Sequence, residues 1–369
     1  MLSVRDLWRR HRRKIYLTVG VLGGGYFLYK LYGAHRHGLQ ELERELAVQR
    51  ESEELVKAQM QAHFENIQRI SDVTLPHAMH DLSCRIAEEL DLSHLLERLI
   101  QGKGQPNTLT QSEKLDLWSR LKILSFTRLT LSVWATTMLS LYTKVQVNIL
   151  GRHLYIDTAR SLGIYDSLES GDVVDREDQK KFLDSVDFLS QHGMTALISD
   201  MEAATKEVLK GKLLSTLFNN TTLHETIMQI LNTFMSMRSP HSWVKYMIPE
   251  DAKSYSTTSG SDDLVPSDMT EFQQLMMETW AVLSSAEFGS IVEISLKAMV
   301  DALVELMGAK FGGGSATAGL PLARLLPQVA QMCPLLLEEP SKNQFIQIIK
   351  NIHEVELFFT LLYANMPRA

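Results

Sequence analysis

Cysteine is scarce in this sequence: Cys84 and Cys333 are the two thiols among 369 residues. Two cysteines cannot form a disulfide framework, which indicates a reducing compartment for most of the chain. Sequence signatures of catalysis are also missing, since there is no His-Glu-x-x-His, no Gly-x-Ser-x-Gly, no phosphate-binding loop and no Cys-x-x-Cys. We therefore expect no enzymatic activity, no cofactor and no metal.

Outside the N-terminal segment, basic residues are outnumbered by acidic ones. Residues 1–37 carry eight Lys and Arg against one Asp, whereas the rest of the chain carries 29 basic and 43 acidic residues, a net charge of −14. A protein that binds nucleic acid needs a basic surface to neutralise phosphates. The acidic body therefore argues against nucleic acid as a partner.

Charge is nearly absent from residues 15–32, where Lys30 is the single charged side chain. Eighteen helical residues extend about 27 Å, which is enough to cross the hydrocarbon core of a bilayer. This predicts a transmembrane anchor over residues 15–32 in contact with membrane lipid. The preceding residues 1–14 form a basic targeting segment, whose cluster is Arg9, Arg10, Arg12, Arg13 and Lys14.

Two other N-terminal signals compete with the anchor. A secretory signal peptide would end at a small-residue cleavage site, and the sequence after residue 32 is a poor one. A mitochondrial presequence fits residues 1–14 but not the long apolar run that follows. The anchor is the favoured interpretation, and the spacing of Gly20 and Gly24 could let two copies of it associate closely.

The remaining residues, 33–369, show helical periodicity and no alternation long enough to seed a sheet. They predict an all-α fold, an elongated bundle of long helices preceded by one N-terminal transmembrane helix. We interpret residues 33–369 as one domain. Stretches rich in glycine, serine or acidic residues predict mobile loops at about residues 163–181, 252–268 and 310–319.

Helix boundaries follow from proline, glycine and capping residues. A charged helix over residues 39–75 is expected to stop at Pro76. Further helices are expected over residues 213–237 and 270–309, the second with a break at Gly289. Residues 110–113, Thr-Gln-Ser-Glu, match a capping box at the start of another helix.

Residues 129–150 form the least charged stretch of the body, with Lys144 as its single charge. A second transmembrane span and a buried core helix are both compatible with such a stretch. Its several Ser, Thr, Gln and Asn side chains are better tolerated in a solvated bundle than in lipid, and the centre of a large bundle needs a helix that is apolar all round. We favour the core helix.

Histidines do not predict a metal site. His77 and His80 are three residues apart on one expected helix face, which is half of a ligand set. No second pair of ligands stands at a suitable spacing, so we interpret both as surface or core histidines.

One tryptophan occupies an unusual helical position. Leu117 and Leu121 belong to an apolar stripe that faces the core, while Trp118 lies one residue round from it, between Lys114 and Lys122. A tryptophan on a basic strip is well placed as an interface anchor. Burial under a neighbouring loop is the alternative, and spacing alone does not decide between them.

Several sequence blocks are familiar in their order and spacing. They are RRKIYLTVGVLGGGYFLYK (12–30), WSRLKILSFTR (118–128), VQVNILG (145–151), YMIPED (246–251) and LPLARLLP (320–327). Together they resemble the peroxisomal biogenesis factor 3 (third peroxin) family, in a plant-like form, over nearly the whole chain.

The resemblance implies a single-pass protein of the peroxisomal membrane, with the bulk of the chain in the cytosol and the extreme N-terminus in the lumen. The positive-inside tendency alone predicts the opposite orientation. The implied function is to dock the import receptor for peroxisomal membrane proteins, the nineteenth peroxin, and so to support membrane-protein insertion and peroxisome biogenesis. An N-terminal amphipathic helix of that receptor is expected to lie in a groove.

The positions that match this groove are Lys114, Leu117, Trp118, Pro321, Leu322, Ala323 and Arg324. Lys122 of the basic strip is added to them as a further candidate partner-binding residue. Two other functions stand against receptor docking. A membrane tether or adaptor platform would use other surfaces of the same architecture, and a membrane-bound enzyme would need a deep pocket with converging polar groups.

Overall fold

The computed structural model describes residues 73–104, 110–161, 175–237, 241–249, 270–311 and 319–364, together with scattered positions between 44 and 69 that are helical. The chain divides into two compact units, Met1–Ala62 and His63–Ala369. The described positions of the first unit are exposed. The predicted targeting segment and anchor, and most of the predicted loops, lie outside the described residues.

Within the described part of the chain, no helix is both long enough and apolar enough to cross a membrane. The predicted anchor, residues 15–32, lies outside the described residues, so this finding does not apply to it.

The described residues of the second unit are mostly helical, as the sequence predicted. In chain order the described helices are α1 (residues 73–89), α2 (Ser93–Gly104), α3 (Gln111–Ser161), α4 (Arg176–Asp184), α5 (Met194–Leu209), α6 (Asn220–Ser236), α7 (Glu271–Leu283), α8 (Ala286–Phe311), α9 (Leu322–Leu336), α10 (Gln344–Lys350) and α11 (His353–Ala364). Shorter turns are the 3-10 segments Ser185–Asp187 and Ser242–Tyr246 and the π-helical segment Leu189–Gly193.

Helix α3 is the centre of this unit. Its 51 residues extend about 75 Å at ~1.5 Å per residue, and it packs against α5, α8, α9 and α11. Residues 129–150 are buried except for the partly exposed Lys144 and Asn148. The hydroxyl groups of Thr137 and Thr143 donate to the carbonyl oxygens four residues earlier, both at 2.8 Å, which satisfies them inside the core. The core-helix interpretation is confirmed.

The predicted stop at Pro76 is wrong, because residues on both sides of it are helical in α1. A proline inside a helix removes one hydrogen bond and costs ~3 kcal/mol. Burial of Leu75, Ala78 and Met79 around it offsets that cost, since each is at most 7% exposed.

The predicted break at Gly289 is also wrong. Helix α7 ends before Ser284 and Ser285, and Gly289 lies inside α8. A Cβ atom at Gly289 would come within 2.8 Å of the Nε2 atom of His241. The glycine therefore permits close packing of the His241 ring rather than a turn.

The helix predicted over residues 213–237 begins only at Asn220. The side chain of Asn219 accepts a 2.7 Å hydrogen bond from the backbone N–H of Thr222 and so caps α6. Residues 210–219, called the connector below, are therefore not helical. They contain the strand β1 (Leu217–Phe218), which pairs antiparallel with β2 (Leu320–Pro321).

Candidate functional site

The first turn of α3 is fixed by a capping box, as predicted. The backbone N–H of Thr110 donates to the Glu113 carboxylate at 2.7 Å, and the backbone N–H of Glu113 donates to the Thr110 hydroxyl at 3.3 Å. The backbone hydrogen bond from Thr110 lowers the pKa of Glu113. This box sets the direction in which the next two turns present their side chains.

Those two turns hold the first half of the predicted site. Leu117 is buried, with 8% of its surface exposed, whereas Trp118 is half-buried and packs against the core. Lys114 is partly exposed one turn before Trp118. Trp118 therefore combines partial packing on the fold with an accessible face.

Lys122 is not an exposed cation beside Trp118, as its strip position had suggested. Its side chain is buried, and its ammonium group donates to the carbonyl oxygens of Leu209 at 3.1 Å and Lys212 at 2.8 Å. Burial lowers the pKa of this lysine. Lys122 therefore ties the end of α5 and the connector to α3.

The second half of the predicted site lies where the connector pairs with the chain before α9. Leu217 and Pro321 are opposite each other in the short ladder. The backbone N–H of Leu322 donates to the carbonyl of Thr216 at 2.9 Å, and that of Ala323 donates to Leu214 at 3.0 Å. These bonds hold Pro321 and Ala323 half-buried at the surface.

The remaining two predicted positions differ in exposure. Leu322 is fully buried, so its side chain supports the surface from beneath. Arg324 is exposed on the first turn of α9.

One connector thus joins both halves of the site. The carbonyl oxygen of Lys212 accepts a hydrogen bond from the Lys122 ammonium group. Two residues later, the carbonyl oxygen of Leu214 accepts one from the backbone N–H of Ala323. The ring of Phe126, one turn beyond Lys122, lies 6.3 Å from the ring of Phe218 at the end of β1. The structure therefore brings together residues that the sequence separates by about two hundred positions.

Sequence reasoning missed the most exposed apolar residues around these positions. Leu115, Leu213 and Leu217, called the leucine rim below, are 60%, 70% and 58% exposed. Leu213 and Leu217 lie within residues 213–237, which the sequence predicted to be helical. The signal that could have found them is Asn219-Asn220-Thr221-Thr222, because asparagine favours the N-cap and so places the helix start after them.

This arrangement can bind an apolar partner. Leu217 and Pro321 share one face of the ladder because directly opposed residues do. The accessible charges on these segments include the cations of Lys114, Lys210 and Arg324. The surface thus combines exposed aliphatic side chains, one half-buried tryptophan and nearby cations.

Comparison with known proteins gives consistent matches. A family model described as Peroxin-3 matches residues 103–365. Peroxisome biogenesis proteins 3-2 and 3-1 of Arabidopsis thaliana are 56% and 54% identical to the chain over 367 residues, covering 99% of this chain and of each relative. The peroxisomal biogenesis factor 3 of Homo sapiens is 29% identical over 386 residues, covering 98% of this chain and 96% of the relative.

Proposed function

This chain belongs to the Peroxin-3 family of peroxisome biogenesis factors, and we propose that it docks the import receptor for peroxisomal membrane proteins, the nineteenth peroxin, at the peroxisomal membrane. Docking would bring the receptor's cargo to the membrane and so support membrane-protein insertion. A role in biogenesis by binding needs no catalytic group, which agrees with the lack of catalytic motifs in the sequence.

The observation that carries the proposal is the exposure of large apolar side chains on α3, close in sequence to Trp118, and on the connector. The leucine rim exposes Leu115 on α3, the helix that carries Trp118, and Leu213 and Leu217 on the connector, which pairs with Pro321. Large apolar side chains exposed together on a folded surface mark interaction sites. An amphipathic helix presents apolar anchors at i, i+3, i+4 and i+7, which suits a surface of this kind.

Charge supports the same partner class. Lys114 lies one turn from Trp118, and Arg324 lies on the turn after Pro321, both accessible to solvent. Charges at the edge of an interface speed the encounter with a partner of opposite sign more than they add to affinity. We therefore expect acidic residues on the polar face of the receptor helix.

The membrane attachment that this function needs would come from the N-terminal segment. Residues 15–32 are proposed as a single transmembrane anchor and residues 1–14 as its targeting segment, with the bulk of the chain in the cytosol. The basis for this is the sequence of residues 1–32 and the family membership. Self-association through Gly20 and Gly24 is part of the same proposal.

Docking is tested by titrating the full-length chain, in detergent, with the N-terminal helix of the receptor. Leu217→Asp places a charge in the leucine rim and should weaken binding at least ~10-fold, which corresponds to ~1.4 kcal/mol of binding free energy. Leu357, which is 50% exposed on α11, offers a matched control, and Leu357→Asp should bind like the wild type. Equal binding by both variants would remove the leucine rim from the interface and favour a tether that uses other surfaces.

A further inference from the structure

Three metal-ligating side chains meet where α1 packs beside the 3-10 turn Ser185–Asp187. His77 and Asp81 are four residues apart on α1, and Asp187 comes from the turn. One ligand atom of each lies within 4.8 Å of the other two, and His77 Nε2 is 3.7 Å from Asp81 Oδ2. Two atoms bound to one metal ion at ~2.1 Å lie roughly 3.0–3.4 Å apart, so small side-chain rotations would bring all three to one ion.

Two features of the site favour the binding of such an ion. The side chain of His77 is 69% exposed, so its ring can turn without disturbing the core. The Oδ1 atom of Asp187 is buried and has no hydrogen-bond partner among the residues that the structure describes. A buried acceptor left without a donor costs ~1–3 kcal/mol.

Electrostatics point the same way. The negative charges of Asp81 and Asp184 lie close enough to repel that of Asp187. The carboxyl groups of Asp81 and Asp187 thus lie beside one exposed imidazole. A divalent cation would compensate the repulsion between them and complete the coordination of the buried oxygen.

We propose that His77, Asp81 and Asp187 bind one divalent transition-metal ion of the Mn²⁺, Co²⁺ and Zn²⁺ class. One imidazole nitrogen and two carboxylate oxygens suit these ions better than Mg²⁺ or Ca²⁺, which prefer oxygen ligands alone. The sequence suggested His77 and His80 as half of a ligand set and showed no further ligand at a suitable spacing. The third ligand stands in a different part of the chain and only the fold brings it near.

The ion would strengthen an existing attachment. Arg85, two helical turns after His77, donates from Nε to the carbonyl oxygen of Ser190 at 3.4 Å, which links α1 to the π-helical segment. A metal at His77 would fasten the same helix to the turn just before that segment. Bound metal should therefore raise the thermal midpoint of the chain, because a ligand that binds only the folded state stabilises it.

A second pair of possible metal ligands on α1 must be distinguished from this site. Cys84 Sγ lies 3.7 Å from His80 Nε2 on the neighbouring stripe of the helix, and a thiolate with an imidazole also binds transition metals. Co²⁺ separates the two sites, since thiolate ligation gives a strong charge-transfer absorption in the near ultraviolet and nitrogen–oxygen ligation does not.

The test is a CoCl₂ titration of full-length, tag-free chain in detergent with a non-thiol reductant at neutral pH. We expect one Co²⁺ per chain, visible bands without thiolate charge transfer, and a raised thermal midpoint. Asp187→Asn and His77→Ala should each weaken Co²⁺ binding at least tenfold and abolish the midpoint shift. Asp184→Asn, a neighbouring carboxylate, and Cys84→Ser should bind Co²⁺ like the wild type.

Two results would overturn the proposal. One is wild-type affinity in His77→Ala or in a folded Asp187→Asn variant, which would place any bound ion elsewhere. The other is the absence of saturable Co²⁺ binding by the wild type. Because His77 is exposed, its alanine variant keeps the test valid even if Asp187→Asn fails to fold.

Discussion

The ammonium group of Lys122 lies 2.8 Å from the carbonyl oxygen of Lys212, ninety residues further along the chain. This hydrogen bond, with a second to Leu209, fixes the connector against α3. Carbonyl oxygens of the same connector accept hydrogen bonds from the backbone N–H groups of Leu322 and Ala323. A buried lysine thus positions the surface that we propose for receptor docking, without itself lying on it.

Lys122→Met should therefore loosen the connector. The substitution keeps the length of the side chain but removes the ammonium donor from the carbonyl oxygens of Leu209, which still accepts the backbone N–H of Lys212, and of Lys212. This loss should cost ~1–3 kcal/mol of unfolding free energy. Hydrogen exchange should accelerate at residues 210–219 more than in the core of α3. Lys210→Met is the matched control, because Lys210 is exposed, and it should leave exchange unchanged. Unaltered exchange in Lys122→Met would contradict the role given to these bonds.

Trp118→Ala separates binding from folding. Removing an interface anchor typically costs ~2–4 kcal/mol, so binding of the receptor helix should weaken at least ~30-fold. Because Trp118 is only half-buried, we expect the thermal midpoint to fall by a few degrees. Trp280, also partly buried against the core, offers a control: Trp280→Ala should lose similar stability and keep binding. Calorimetric titration beside melting curves measures both, and a large loss of stability with unchanged binding would return Trp118 to the core.

The two cysteines should differ in their effect on stability at high pH. Burial raises the pKa of the Cys333 thiol from 9.0 to about 11. The folded chain then keeps this thiol protonated where the unfolded chain ionises it, so its stabilisation is complete below pH 9 and is lost as the pH rises toward 11.

Urea unfolding across that pH range measures the effect. The wild type should lose about 2 kcal/mol more than Cys333→Ala, since each pKa unit corresponds to ~1.4 kcal/mol. Cys84 is exposed, so Cys84→Ala should follow the wild-type curve. Parallel curves for wild type and Cys333→Ala would contradict the assignment.

The N-terminal segment should carry the membrane attachment. Residues 1–37 fused to a fluorescent protein should reach the peroxisomal membrane, because the basic cluster and one apolar run are the targeting features of this segment. Deletion of residues 1–37 should release the chain from membranes in an alkaline wash. Replacing the five basic residues of the cluster by serine should disturb targeting while the fusion still sediments with membranes. A truncated chain that still sediments would place an attachment in the body.

The sequence alone determined the class of fold and much of its local detail. The all-α architecture, the capping box of Thr110 and Glu113 and the buried course of residues 129–150 were all predictable. Each depends on residues within one or two helical turns, where periodicity and side-chain capping act directly. The errors at Pro76 and Gly289 arose where packing with other elements outweighs a local preference.

Only the tertiary structure decided which side chains meet and which face solvent. Spacing placed Lys122 beside Trp118 but could not show that its ammonium group donates to the carbonyl oxygens of Leu209 and Lys212, which are 87 and 90 residues further along the chain. The exposure of Leu217 depends on its pairing opposite Pro321, and the neighbourhood of His77 depends on Asp187. Such contacts join segments far apart in the chain, and no pattern within a single helix encodes them, because they form only when separate elements pack against one another.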